Sequence, residues 1–134
     1  RIRSVFEPSE MLPAAGQGAL GLEIREDHAE LRAALQGLVH RPTWLAVHAE
    51  RAVSRALGGS CSVPLAAHAT WQGPQMVLQA ALGDPTAETV GLLQVRCEAA
   101  VGSTEAAQAL GTQAAEQLRA QGADTILARL AADA

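Results

Sequence analysis

Aromatic residues are scarce in this chain, and tyrosine is absent. Phe, Trp and Tyr make up 2% of the 134 residues, so a hydrophobic core has to be built from Leu, Val, Ile and Ala. The hydrophobic fraction of 49% and the charged fraction of 18% are nevertheless typical of a soluble globular protein. A chain of this length can form one ordinary domain, or it can contain pieces of two.

Other absences exclude whole classes of protein. The net charge of −4 leaves no basic excess for a phosphate backbone, so a nucleic-acid partner is not expected. No apolar run approaches the roughly 18 residues of a membrane-spanning helix, and no secretory signal pattern is present. The two cysteines and four histidines match neither a metal-ligand spacing nor a disulfide framework. We therefore expect a reduced, cytoplasmic protein without a membrane partner.

The first forty residues contain signals for a strand and a helix. Residues 1–12 are strand-like as far as a turn near Pro8, and the chain opens without Met, as a part of a longer sequence would. A second strand is predicted from the alternating apolar residues Leu20, Leu22 and Ile24. Asp27 is the predicted cap of a helix that follows. The apolar face of this helix consists of Leu31, Leu35 and Leu38.

From residue 41 onward the pattern predicts the order αβββαα. Thr43 is the predicted cap of the first helix, and Gly58 is predicted to end it in a left-handed conformation. Three alternating segments follow, at 63–69, 76–82 and 93–97, with short connections that favour an antiparallel meander. The expected fold class is α+β, with a three-stranded antiparallel sheet covered by helices.

Two further helices are predicted to close the chain. Either Ser103 or Thr104 caps the first, and Asp124 caps the second. The apolar stripe of the first consists of Ala107, Leu110, Ala114 and Leu118. The second carries Ile126, Leu127 and Leu130.

The run GQGALG, residues 16–21, matches the dinucleotide-binding pattern G-x-G-x-x-G. That site requires the glycines to follow a strand and to open a helix, whereas here they follow Pro13 and lead into a predicted strand. The order favours a tight crossover instead, in which backbone N–H groups approach a ligand or another segment.

Polar residues of the helix that starts at Thr43 are predicted to lie outside its apolar stripe. They are Glu50, Arg51, Ser54 and Arg55, with His48 on the same side as the two arginines. Such a face is either solvated or, close to Cys61, suited to an acidic ligand. His68 is predicted to lie on the solvent side of its strand.

The two cysteines have different settings. Cys97 falls on the apolar face of the third strand, so it is expected to pack in the core. Cys61 follows a helix end and two glycines, in the loop LGGSCSVP. No base or orienting group accompanies it in a recognisable signature. The residues alone therefore leave open a nucleophile, a ligand, a covalent anchor or an inert thiol.

Two motifs in a fixed order resemble one family. LPAAGQGALGLEIR at 12–25 and AERAVSRALGGSCSVPLAAHA at 49–69 are similar to the C-terminal part of porphobilinogen deaminases, also called hydroxymethylbilane synthases. One departure is Ser60, which stands where the family usually has Gly. The resemblance implies that residues 1–12 end a second domain and that 13–40 form a crossover strand and helix returning to the first. Residues 41–134 would then form a third, cofactor-carrying domain.

This division makes the first forty residues a strand–helix remnant of neighbouring domains. Without their sheet partners, we expect them to be disordered or to pair with another copy of the chain.

The resemblance also implies a chemistry. The family is a transferase of tetrapyrrole (heme) biosynthesis that joins four porphobilinogen units into hydroxymethylbilane. Cys61 would carry the dipyrromethane cofactor through a thioether, as the primer of the growing pyrrole chain. Gln17 and Gly18 would lie against that chain, and Arg51 would contact its carboxylates or another domain.

The family's catalytic aspartate is implied to belong to N-terminal domains outside these 134 residues. No catalytic residue is therefore assigned here, and the chain alone is expected to be inactive. The alternatives are a small-molecule-binding or regulatory α+β module, and a structural domain with an inert thiol.

Overall fold

A computed structural model describes residues 1–58, 63–85 and 91–132. Within these ranges the chain forms four α-helices, one 3-10 turn and three strands. They are α1 Ala29–Leu35, the turn Gln36–Leu38, α2 Arg41–Ala56, β1 Leu65–Gln72, β2 Gln75–Asp84, β3 Gly91–Ala100, α3 Thr104–Ala120 and α4 Ala123–Ala132. The order αβββαα from residue 41 onward and the α+β class are both confirmed.

The strands form the predicted antiparallel meander, with β2 between β1 and β3. Leu78 in the middle of β2 pairs with Ala69 on one side and with Cys97 on the other. The predicted inward residues of β2 are Met76, Leu78, Ala80 and Leu82, and each is at most 1% exposed. Cys97 is buried as well, which confirms its place in the core.

Helices α2 and α3 cover one face of this sheet, since α2 packs on β1 and α3 packs on β3. The predicted stripe of α3 is confirmed, because Ala107, Leu110, Ala114 and Leu118 are all buried. The stripe of α2 is buried at Leu45, Ala49, Ala52 and Val53, and Ala56 is half-buried. Gly58 has a φ of +99°, so the left-handed end predicted for α2 is confirmed.

Ser103, the first of the two caps proposed for α3, is confirmed, because its Oγ accepts the Ala106 N–H at 3.2 Å. The Asp27 cap is wrong by one residue, since Nδ1 of His28 accepts the Leu31 N–H at 3.4 Å. The Asp27 carboxylate is instead engaged by the guanidinium of Arg25.

The predicted caps Thr43 and Asp124 are also wrong, because both helices begin earlier. His40 is the N-cap of α2, and Pro42 fits its first turn because that position needs no N–H partner. Asp124 lies in the first turn of α4, where its carboxylate pairs with Nε of Arg119 at 3.2 Å.

The predicted strand through Leu20 and Leu22 is not formed, and neither is the strand-like start before Pro8. Leu20 is 92% exposed and Leu22 is 59% exposed. A strand needs a neighbour for its backbone hydrogen bonds, and no described segment supplies one here. The helix of the remnant is present as α1, although it buries none of its residues.

Candidate functional site

The segment before the G-Q-G turn lies along the outer edge of β1. Ala67 donates its N–H to the carbonyl oxygen of Pro13 at 3.0 Å. Ala69 donates its N–H to Oε1 of Glu50 at 2.8 Å, and Gly16 donates its N–H to Oε2 of the same residue at 2.7 Å. A carbonyl and a carboxylate therefore satisfy amides that an edge strand would otherwise leave unpaired.

Glu50 is the central residue of this contact, and its predicted place outside the apolar stripe is wrong. Its exposed fraction is 6%, and a carboxylate can be buried because both oxygens accept backbone N–H groups. The sequence carries a weak signal for this, since Glu50 lies four residues after Ala46 and three before Val53, on one helix face.

Among the described residues, His68 is the basic side chain that lies beside the Glu50 carboxylate. Its Nδ1 lies 3.8 Å from Oε1 of Glu50, and its side chain is 27% exposed. His68 pairs with the exposed Gln79, on the face of β1 opposite the buried Ala67 and Ala69. Its predicted place on the solvent side of the strand is therefore confirmed, and its ring also lies beside the Glu50 carboxylate.

Two glycines shape the turn that Glu50 holds. Gly16 and Gly18 have φ values of +77° and +84°, a region that residues with a Cβ rarely adopt. A Cβ on Gly16 would lie 3.9 Å from Cγ1 of Val47, so the turn rests on α2. Oε1 of Gln17 accepts the Ala14 N–H at 3.0 Å, which closes the turn on itself. The close approach of the glycine run to another segment is thus observed.

The predicted contacts Gln17, Gly18 and Arg51 are all exposed. The Gly18 N–H and the Arg51 guanidinium have no hydrogen-bond or ion-pair partner among the described residues. Arg51 directly follows Glu50 in α2. The residue that binds the turn is therefore the sequence neighbour of Arg51. These groups are donors, which suits a ligand rich in carboxylates.

Cys61, the predicted anchor, lies outside the described residues, as do Gly59 and Ser60. The chain on either side is well placed by hydrogen bonds. Leu57 caps α2 with its N–H directed at the carbonyls of the last helical turn. After the loop, the Pro64 carbonyl accepts the Gly83 N–H at 2.9 Å. Residues 59–62 therefore connect the C-terminal end of α2 to the segment that leads into β1.

The remaining candidates have other roles. Nδ1 of His48 lies 2.8 Å from the Trp44 carbonyl, and the His48 ring lies 4.4 Å from the Trp44 ring, so His48 is engaged within its own helix. Burial raises the pKa of the Cys97 thiol, which makes it a poor nucleophile.

In the part of the chain that the structure describes, no group of three or more His, Cys, Asp or Glu side chains is arranged to hold a metal ion. None of the helices in the same ranges combines the length and the apolar character that a bilayer crossing requires.

Two family models match the chain. Residues 44–120 match "Porphobilinogen deaminase, C-terminal domain", a segment that contains Arg51 and Cys61. Residues 1–33 match "Porphobilinogen deaminase, dipyromethane cofactor binding domain", a segment that contains Gln17 and Gly18. The cofactor named by the matched family is thus the one that the resemblance implies.

Curated proteins named porphobilinogen deaminase are similar over most of the chain. The one from Albidiferax ferrireducens is 55% identical over 120 residues, which cover 90% of this chain and 38% of that protein. The one from Paraburkholderia phytofirmans is 50% identical over 98% of this chain and 38% of its own length. For Ralstonia nicotianae the identity is 50%, over 100% of this chain and 40% of the relative. The chain thus spans 38–40% of the length of these relatives.

Proposed function

The chain belongs to the porphobilinogen deaminase family, and from this we propose that it is the cofactor-carrying part of an enzyme of tetrapyrrole (heme) biosynthesis. The reaction is the joining of four porphobilinogen units into hydroxymethylbilane. The observation that carries the proposal is the pair of family matches, at 1–33 and 44–120, on the two motifs that hold Gln17 and Cys61.

Cys61 is the proposed attachment point of the dipyrromethane cofactor, through a thioether. The other thiol, Cys97, is buried in the sheet and its pKa is raised, so it is poorly suited to form this bond. When bound, the cofactor supplies a fixed pyrrole to which substrate units are joined. The tether requires a reduced thiol before loading, which supports a cytoplasmic location.

Donor groups of the chain fit a ligand that carries carboxylates and a growing pyrrole chain. The exposed guanidinium of Arg51 has no partner among the described residues, and it can bind one carboxylate in two parallel hydrogen bonds. The free N–H of Gly18 and the amide NH₂ of Gln17 add neutral donors. These residues hold and orient the ligand, and the proposal assigns none of them a proton-transfer step.

The proposed division is 1–12, then the crossover strand and helix at 13–40, then the cofactor-carrying domain at 41–134. The match to the C-terminal domain begins at residue 44, which supports the start of the third unit, and the bond from Ala67 to Pro13 shows where the crossover contacts that unit. The relatives contain more than half of their length outside the matched segment. We therefore propose that the other domains of the same enzyme supply the catalytic acid, and that these 134 residues alone release no ammonia from porphobilinogen.

Intact-mass spectrometry tests the attachment. The chain replaces the segment that it matches in the Albidiferax ferrireducens relative, and the purified chimera is weighed with and without Cys61→Ser. We expect the mass of two linked pyrrole units on the unsubstituted protein and its loss in the variant.

Cys97→Ala is the matched control, since it removes the only other thiol of the chain. An adduct that persists in Cys61→Ser and disappears in Cys97→Ala would overturn the proposed tether. A chimera that carries no adduct at all would overturn the proposed function.

A further inference from the structure

We propose that Glu50 is a positioning residue, which holds the Gln17–Gly18 turn at a set distance from Arg51 so that both can bind one pyrrole chain. This inference rests on the proposed function. The family descriptions assign no role to Glu50.

The hydrogen bonds of Glu50 show why a carboxylate is needed. Its two oxygens each accept one backbone N–H, from Gly16 at 2.7 Å and from Ala69 at 2.8 Å. An ionised carboxylate is purely an acceptor, so it can satisfy both amides at once. A glutamine has one oxygen and one NH₂ group, which would face a second donor. Glu50→Gln therefore keeps the size of the side chain and loses one of the two bonds.

Within the described ranges, no arginine forms an ion pair with this buried carboxylate. Among the described residues, the neighbour of Glu50 that can carry a positive charge is His68. Its Nδ1 lies 3.8 Å from Oε1 of Glu50, which is longer than a direct hydrogen bond. The two carboxylate oxygens thus accept backbone amides from two segments, 34 and 19 residues away in the sequence. A residue bonded in this way fixes the relative position of the segments.

The segments that Glu50 joins carry the proposed binding groups. Gly16 begins the turn whose exposed end presents Gln17 and the unpartnered Gly18 N–H. Arg51 is the next residue of α2. If the bond to Gly16 is lost, the bond from Ala67 to Pro13 remains, so the segment stays attached while its glycine turn is free to move.

Amide hydrogen exchange on the unsubstituted chimera, in which residues 1–40 have their neighbouring domains, tests the contact directly. We expect the Gly16 and Ala69 amides to exchange at least about tenfold more slowly than the Gly18 amide, because a bonded amide must first open. Equal exchange rates at Gly16 and Gly18 would show that the contact is absent in solution, and this result alone would overturn the inference.

Turnover of porphobilinogen by the chimera tests the consequence. Activity is expressed per mole of pyrrole adduct, below the onset of unfolding, so that losses in folding or loading are divided out. We expect Glu50→Gln to load the adduct and to lower kcat about 10- to 100-fold, as misplaced binding groups do. Glu116→Gln is the matched control, because Glu116 is an exposed residue of α3, and we expect its kcat to be unchanged.

Each outcome of the chimera experiment decides one question. A loaded Glu50→Gln enzyme with unchanged kcat per adduct would show that Glu50 is merely structural. An unsubstituted chimera without adduct would remove the proposed function and this inference with it, whereas the exchange experiment would still report whether Glu50 holds the turn.

Discussion

Gly111 of α3 lies directly against Ala52 of α2, so closely that a Cβ added to Gly111 would come within 2.6 Å of the Ala52 Cβ. The backbone carbonyl of Ala49 is nearer still. The absence of a side chain thus lets the two helix backbones approach each other. Because α2 carries Glu50 and Arg51, this crossing also places the candidate site on the sheet.

Gly111→Ala is therefore expected to destabilise the fold. Alanine normally stabilises a helix interior by about 1 kcal/mol relative to glycine. Here the added methyl group would overlap α2, and overpacking of this kind costs about 1–3 kcal/mol. Urea denaturation should show a lower free energy of unfolding. Gly37→Ala is the control, since no atom lies within 4 Å of its added Cβ. A higher free energy of unfolding in Gly111→Ala would contradict the close contact between α2 and α3.

Arg129→Gln is expected to loosen α4 from the sheet. Nη2 of Arg129 lies 2.5 Å from Oδ2 of Asp84, whose side chain is only 7% exposed. Removing the cation leaves a largely buried carboxylate short of one bond, at a cost of about 1–3 kcal/mol. Thermal unfolding followed by circular dichroism measures the loss.

The control for Arg129→Gln is Arg96→Gln. Nη1 of Arg96 lies 3.1 Å from Oε2 of Glu98, and the Glu98 side chain is 57% exposed. An exposed ion pair of this kind contributes about 1 kcal/mol or less. Equal losses of stability in Arg129→Gln and Arg96→Gln would show that burial of Asp84 does not strengthen its ion pair.

The Cys97 thiol is expected to make stability depend on alkaline pH. Burial raises its pKa in the folded state, so the folded chain resists losing this proton while the unfolded chain does not. The free energy of unfolding should stay level below the ordinary thiol pKa of about 8.5 and fall as pH rises above it. Urea titrations at neutral and alkaline pH, in a Cys61→Ser background, measure the fall.

Cys97→Ala should remove this fall, and the absence of lysine and tyrosine from the chain leaves few other groups that titrate there. Iodoacetamide should label Cys97 only after unfolding. Rapid labelling of Cys97 in the native chain would contradict its burial.

Ser103→Ala is expected to weaken the start of α3. The Ser103 Oγ accepts the Ala106 N–H, and loss of such a cap costs about 1 kcal/mol. The pKa of Glu105 is lowered by its own backbone N–H and by the Ser103 hydroxyl. Its contribution to stability is therefore present above the ordinary carboxyl pKa and is lost as pH falls through the lowered one.

Urea titrations at neutral and acidic pH should thus show a smaller acid dependence in Ser103→Ala than in the unsubstituted chain. Thr112→Ala, an exposed change within the same helix, is the control and should leave this dependence as it was. An unaltered acid dependence in Ser103→Ala would show that the hydroxyl does not act on Glu105.

Features that depend on neighbouring residues could be predicted from the sequence. The alternation in β2 and β3 placed Leu78 and Cys97 in the core, and Ser103 was one of two caps proposed for α3. The caps predicted at Asp27 and Thr43 are wrong because the carboxylate of Asp27 is engaged elsewhere and the helix of Thr43 begins earlier in the sequence. Arg25 engages the Asp27 carboxylate, and Pro42 is accommodated in the first turn of a helix that His40 caps.

Some features of the candidate site could likewise be predicted from the sequence, and others could not. The sequence by itself determined the family motifs, the unusual setting of Cys61 and the helix that carries Arg51, because each is encoded in a short run of residues. Only the tertiary structure decided that Glu50 is buried and that Leu20 stays exposed. Glu50 depends on amides contributed by Gly16 and Ala69, and a strand at Leu20 depends on a neighbour that no described segment supplies. Both outcomes are set by hydrogen bonds between distant parts of a chain, which local periodicity does not encode.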